Sequence, residues 1–396
     1  MALANHPLWP FPANWTGAVN ETLEWLTDIM TSPTGAEQRR ALRPYPRRTV
    51  DFDVALFNTE RAYADNLLET YGGGRWWLPL WHEPYLPAPT INAGATSIII
   101  PTPNKIQWDA AVIWVSPFEC RLVEVRNATS TRIVLDNPLP KSFTNAVVYP
   151  AVVAQITDQP RFTKVNDSTW TGEMRFELHD EDPKTLAAPV ANSYLGFPVL
   201  SLAPNESDRL DVSYERMLET LDNKTAHPVY LDTAGRPFPL CKYSWMITGR
   251  QATRDFEAFL KGLCGRAKPI WVPTFHQDFE VVSVAGNILT VRNCGYVQTG
   301  GPRREKQYLC VQTLTGPVYR RITATSVSGG NEVLTLTGSI PGGASPDQII
   351  QVSFMSLMRL NSDTLQLEHL TDTDGTLTCE AIFRSAPDLR VASTGF

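Results

Sequence analysis

"GRWWLPLWHEP", residues 74–84, crowds three tryptophans and a histidine into one short stretch, and "KPIWVPTFHQD", residues 268–278, says nearly the same again. Trp77, Pro79, Trp81 and His82 recur as Trp271, Pro273, Phe275 and His276, each 194 residues later. Large apolar residues at every second position follow the side-chain period of a strand. A strand that presents the same face twice points to core rather than to an exposed platform, and it makes an internal repeat the first question to settle.

The echo extends both ways. Upstream, "RPYP" (43–46) returns as "RPFP" (236–239), each leading into a strand-like run at 52–56 and 243–247. A helix signal follows each run. Asn58 or Thr59 can cap "ERAYADNLLETY" (60–71), and Thr248 precedes "RQATRDFEAFLKGL" (250–263). Ala64, Leu67, Leu68 and Tyr71 match Phe256, Phe259, Leu260 and Leu263, the i, i+3, i+4, i+7 spacing of one buried stripe. The glycines that follow, Gly72 and Gly265, suit left-handed C-caps. Downstream, "RIVLDNPLP" (132–140) pairs with "VLTLTGSIP" (333–341), and "TWTGEMRF" (169–176) with "TLTCEAIF" (376–383). Collinear order over most of the chain makes duplication the reading.

The expected fold is mainly β with a few helices: two tandem similar domains, each a β-sandwich or split barrel with one packed helix. The boundaries expected are a lead-in over 1–42, with a helix in "NETLEWLTDIMTS" (20–32), repeat domain A over 43–179, a proline-rich connection over 180–235 with a helix-like "YERMLETL" (214–221), repeat domain B over 236–388, and a tail over 389–396. "CRLVEVRNATSTRIVLDNPLP" (120–140) reads as a hairpin. Trp77, Pro79, Trp81, Trp271, Pro273 and Phe275 are the repeat-matched core, expected to pack beneath the helix stripe of their own copy.

Bulk properties fit this. The chain has 396 residues, 43% hydrophobic, 10% aromatic and 19% charged, with 31 prolines. Its net charge is −6 with no long run of one sign, which argues against a dedicated nucleic-acid binder. The six cysteines are scattered without a C-x-x-C, so free thiols are expected and no metal or cluster is called. No signal-peptide pattern opens the sequence and no apolar stretch suits a membrane span, so a cytoplasmically made chain without membrane insertion is expected. No G-x-S-x-G, H-E-x-x-H or P-loop is present. "HDED" (179–182) and "DTDG" (372–375) read as polar turns, and His82 and His276 as histidines closing matched strands; no catalytic residue is named, and a non-enzyme is expected.

The order "NWTGAVNETLEWLTDIMTSPTGAEQRRALRPYPRRTVDFDV" (14–54), followed by a helix, a glycine stop and "WWLPLW", resembles distal-tail and tail-tip (baseplate) proteins of long-tailed, siphovirus-type bacteriophages and of gene-transfer-agent particles. The shared features are the T-G-x-E-Q-R-R segment, Thr34–Arg40, and an Arg/Pro-rich lead into a strand. The resemblance covers about the first ninety residues and reaches the rest through the internal repeat. It implies a structural virion protein assembled in the host cytoplasm: a homo-oligomeric ring, trimer or hexamer, that joins the tail tube protein to hub, fibre or other baseplate proteins. It carries over no catalytic residue; similar tail-tip proteins can hold an iron–sulfur cluster, but the scattered cysteines here give no ligand spacing for one, so no cofactor is expected. Trp76, replaced by Ile270 in the second copy, and Arg39 and Arg40 of the shared segment are the candidate partner contacts. A receptor- or carbohydrate-binding module of the tail is the competing reading, with a tail-associated glycan hydrolase as a third.

Overall fold

The computed structural model describes residues 5–87, 89–100, 109–129, 131–179, 192–207, 210–303, 306–341, 345–372 and 375–386. The protein is mostly β, with two α-helices among the described residues. The first half opens with β1 (Val19–Glu24), β2 (Thr27–Thr31), β3 (Glu37–Ala41) and β4 (Arg47–Phe57), then α1 (Thr59–Tyr71) and β5 (Arg75–Pro79). It continues with β6 (Thr90–Ile91), β7 (Ser97–Ile99), β8 (Ala110–Ser116), β9 (Glu119–Ala128) and β10 (Arg132–Leu135). It closes with β11 (Phe143–Thr144), β12 (Val147–Ile156), β13 (Arg161–Lys164) and β14 (Thr169–Leu178). A small ribbon, β15 (Ser193–Tyr194) and β16 (Phe197–Pro198), leads to the second half. There, β17 (Asp211–Glu215), β18 (Leu218–Leu221), β19 (Val229–Asp232) and β20 (Phe238–Ile247) precede α2 (Arg250–Leu263) and β21 (Ile270–Pro273). Next come β22 (Val281–Ala285), β23 (Ile288–Arg292), β24 (Tyr308–Thr313), β25 (Gly316–Ser328) and β26 (Asn331–Leu336). β27 (Ile349–Leu360), β28 (Thr364–His369) and β29 (Leu377–Ser385) complete it.

The two halves pair their strands in the same order, always antiparallel. In the first, β4 pairs with β14, β14 with β12, and β12 with β5; in the second, β20 pairs with β29, β29 with β27, and β27 with β21. β12 also leads through β8 and β9 to β10 and β7, as β27 leads through β24 and β25 to β26 and β23. β12 and β27 are long because each hands over from one set of partners to the other. Val147–Ala151 face β8 and Ala151–Gln155 face β5, while the corresponding stretches of β27 face β24 and β21. β1 and the β2–β3 hairpin precede β4 as β17 and the β18–β19 hairpin precede β20.

The core follows the same order. Each helix covers one face of its half's first sheet: Ala64, Tyr63, Leu67 and Leu68 over Trp76, Leu78, Val54 and Phe176, and Phe256, Leu260 and Leu263 over Ile270, Val272, Trp245 and Phe383. The opposite face of each aromatic strand carries Trp77, with Ala110, Val112 and Ala151, and Trp271, with Tyr308, Cys310 and Met355. Within the strands the period-two reading holds with its phase reversed: Trp76 and Ile270 lie on the helix side and Trp77 and Trp271 on the far side, while Trp81 and Phe275, beyond the strand ends, return to the helix-side clusters as expected. All residues 76–79 and 270–273 are buried. A strand buried on both faces carries no polar alternation to say which face meets which layer.

Other local expectations change as well. Residues 20–32 and 214–221 are not helical; they supply β1, β2, β17 and β18. In β1 the burial alternates, with Val19, Glu21 and Leu23 inside, and the ladder to β4 outweighs the helical spacing of Leu23, Leu26 and Met30. The segments read as lead-in and connection thus add strands to the sheets. Gly72 stays right-handed at φ −47°, so α1 lacks the left-handed cap, while in α2 Cys264 adopts it at φ 52° with Gly265 next at φ 62°. Asn58 makes no side-chain cap; instead the Phe57 amide donates to Glu60 Oε2 at 2.8 Å. The 120–140 hairpin is β9–β10. Residues 180–182 of "HDED", residues 373–374 of "DTDG" and the 389–396 tail lie outside the described residues.

Candidate functional site at the seam between the halves

β1 is the only described strand of the first half that pairs into the second. Its inner edge runs along β4, Asn20 facing Asp51, and its outer edge along β28, Val19 facing His369 and Glu21 facing Leu367. Alternation along β1 turns the side chains of Val19, Glu21 and Leu23 inward, so a carboxylate is delivered into the core. Glu21 is 1% exposed and meets Arg48 of β4, whose Nε donates to Glu21 Oε1 at 2.7 Å. His369, the last residue of β28, brings Nε2 to 3.5 Å from Glu21 Oε2. His82, in the turn after β5, brings Nε2 to 4.0 Å from the same oxygen. The two imidazoles stack with centroids 4.1 Å apart. All four side chains are buried.

The electrostatics follow from burial against charge. Desolvation pushes the Glu21 carboxyl up, but the Arg48 guanidinium and the approach of His369 outweigh it and hold it well below the usual carboxylate range. Burial, followed by the neighbouring His369, holds His82 well below the usual imidazole range, so its ring is neutral. Burial and then the Glu21 charge push Glu257 of α2 up to about 7. Glu21 Oε2, His82 Nδ1 and His369 Nε2 have no hydrogen-bond partner. One donor atom from each of these three residues lies within 4.8 Å of the others. Two imidazoles and a carboxylate oxygen form the donor set of a divalent zinc-type site, with Arg48 orienting the carboxylate through its other oxygen. Chemically, the cluster can bind a cation or act as an ion-pair lock; buried as it is, it offers no cleft for a substrate.

The seam extends on both sides of this cluster. Residues 82–85 of the first half lie against α2: Arg254 donates to the Tyr85 hydroxyl and sits 3.6 Å from Glu83, and Arg250 stacks over the Tyr85 ring at 5.2 Å. Asp363 accepts from Thr27 N and Oγ1 at 2.9 and 2.8 Å, and from Arg266 N at 2.8 Å, which hold its carboxyl below its ordinary range against desolvation. The β2–β3 hairpin, which carries the Thr34–Arg40 segment, reaches over the second half. There Glu37 accepts from Arg359 at 2.7 and 2.8 Å and from Arg384 at 2.7 Å.

The sequence-predicted residues fall as follows. Trp76 is fully buried, edge-on to Trp9 and Tyr71, so it cannot be a partner contact; its unmatched size fills the space between α1 and residues 7–11. Arg39 lies along the seam 4.0 Å from Glu37, and Arg40 is exposed on β3. Trp77, Pro79, Trp81, Trp271 and Pro273 are buried, and Phe275 is half-buried against Tyr243 at φ 56°. The two matched histidines part company, His82 buried in the cluster and His276 exposed. Glu21, Arg48 and His369 escaped the sequence reading. The available signal was "TLQLEH" (364–369), an alternating strand whose buried phase ends on a histidine. No protein-family model matches this sequence, and no curated protein matches it.

Proposed function

We propose that the chain is a structural protein of a long-tailed phage tail, forming a ring at the tail tip that joins the tube to hub or fibre proteins. The observation that carries this reading is an unsatisfied surface. Among the described strands β17 pairs on one side only, and with the β18–β19 hairpin it exposes Val212, Tyr214, Leu218, Leu221, Val229, Tyr230 and Leu231, each at least 43% exposed. An unpaired strand edge beside exposed apolar side chains is the mark of an assembly surface. The T-G-x-E-Q-R-R segment adds support, because its glutamate joins the two halves. A duplicated chain also suits this place: three copies present six matched halves, so one face can meet a six-fold tube and the other a three-fold hub.

The glycan-binding reading needs surface tryptophans; among the described residues seven of ten tryptophans are buried and three half-buried. That favours assembly. Sedimentation of the purified chain with tail tube protein tests the proposal. A ring-sized species that co-sediments with tubes is expected, and a monomer that ignores both tube and hub proteins would overturn it.

A further inference from the structure

Within the chain, β1 is covered on its outer edge by β28, and this leaves Glu21 and Leu23 1% and 0% exposed. The matching strand of the second half is β17. Asn20 faces Asp51 as Asp211 faces Lys242, and Asp53 and Ser244 face Glu173 and Glu380 in turn, so β1 and β17 align residue for residue. On β17 the counterparts of Glu21 and Leu23 are Val212 and Tyr214, 43% and 62% exposed. The counterpart of β28 is β13: β28 lines β29 as β13 lines β14, with Glu368 facing Thr378 where Thr163 faces Thr171. Among the described strands β13 has no partner besides β14. The first half thus ends in an uncovered β13, and the second half begins with an uncovered β17.

The helices differ in the same sense. α2 buries six residues and carries Tyr85 and Glu83 of the first half on Arg254, while α1 buries only Ala64. The loop after β21, where His276 is exposed, has no such helix to cover.

We propose that β17 of one copy pairs antiparallel with β13 of a second copy of this chain, repeating between chains the β1–β28 junction found within it. The intrachain register transfers directly: Leu210 faces Lys164, Asp211 faces Thr163, Val212 faces Phe162 and Ser213 faces Arg161. Val212 and Phe162 then meet on the inner face, where Phe162 already packs against the core. On the outer face Arg161 lies between Asp211 and Glu215, an arrangement of opposite charges that suits cross-strand pairing. The exposed β18–β19 hairpin crosses onto the neighbour's first half, as β2–β3 crosses onto the second half through Glu37. The contact is heterologous, and in the closed ring of the proposed function intrachain and interchain junctions would alternate.

This inference rests on the ring reading for its closure but names its own strands, and one experiment separates the two. In the full-length chain, Asp211→Cys and Thr163→Cys place thiols on directly opposed residues at disulfide-compatible spacing. Mild oxidation of the double variant is expected to give covalent multiples of 44.1 kDa that the single variants do not give. Arg161→Glu is expected to weaken association at least about tenfold by light scattering, with recovery when Asp211→Arg and Glu215→Arg are added. An oligomer that neither cross-links nor responds to the charge swap overturns the strand pairing and leaves a ring built on another surface. A chain that stays monomeric at every concentration overturns both.

Discussion

Glu21 is a carboxylate in the middle of a core strand, and its neutralisation has a calculable cost. Glu21→Gln removes the charge that Arg48 donates to while both groups remain buried; breaking a buried pair in this way costs about 3–5 kcal/mol, read from urea denaturation. His82 has the opposite chemistry, since it is stable only as the neutral ring. Its contribution is present above the ordinary imidazole value of about 6.5 and is lost as pH falls below it, because the unfolded chain takes up a proton that the buried ring does not. Glu21 adds a second loss at lower pH, as its depressed carboxyl is finally protonated. Glu257 acts against both: its pKa of about 7 lies above that of the unfolded chain, so its contribution is lost as pH rises toward 7. In melting curves, His82→Gln should flatten the fall between about pH 6.5 and 5, and Glu257→Gln should gain stability over the wild type as pH rises from acid to neutral. If a cation is held by Glu21, His82 and His369, zinc at a hundredfold over its Kd should add about 2.7 kcal/mol, and His369→Gln should abolish the gain.

At the scale of elements, matched strands in different surroundings give the sharpest contrast. Leu23 of β1 is 0% exposed and Tyr214, its counterpart on β17, is 62% exposed. Leu23→Ala should cost about 2–5 kcal/mol, whereas Tyr214→Ser in the isolated chain should stay within about 0.5 kcal/mol; denaturant titration of both at low protein concentration checks this. Trp76→Ala, under α1, should cost about 3–5 kcal/mol, as expected of core and not of a partner contact. α1 and α2 were legible because their apolar stripes and flanking glycines are local signals. β1 was not, because its buried phase includes a carboxylate that no pattern of apolar residues reveals. β17 and β18 were hidden for the converse reason: "YERMLETL" has helical spacing, and its strand state is imposed by Pro239 and Phe238 of β20, which face Tyr214 and Glu215, and by β19, which pairs with Leu218–Leu221.

Over the whole molecule, the β1–β28 ladder, the Glu21 cluster, the Tyr85–Arg254 contact and the Glu37 pairs tie the halves together along one seam. The molecule should therefore unfold as a unit. Tryptophan fluorescence and far-ultraviolet dichroism are expected to give coincident transitions, and two separated transitions would show that the seam contributes little to stability.

By itself, the sequence determined a mainly β chain with two matched helices, and it located the aromatic strands and their period. These properties are written in short-range spacing, and "GRWWLPLWHEP" with its echo carries most of them. Only the tertiary structure decided which face of those strands meets the helices, because residues buried on both faces leave the phase open. It alone brought Glu21, Arg48, His82 and His369 together from three strands and a turn. It also left β17 and β13 uncovered where β1 and β28 cover each other. Long-range pairing makes those choices, and residues hundreds of positions apart carry no local signal of meeting.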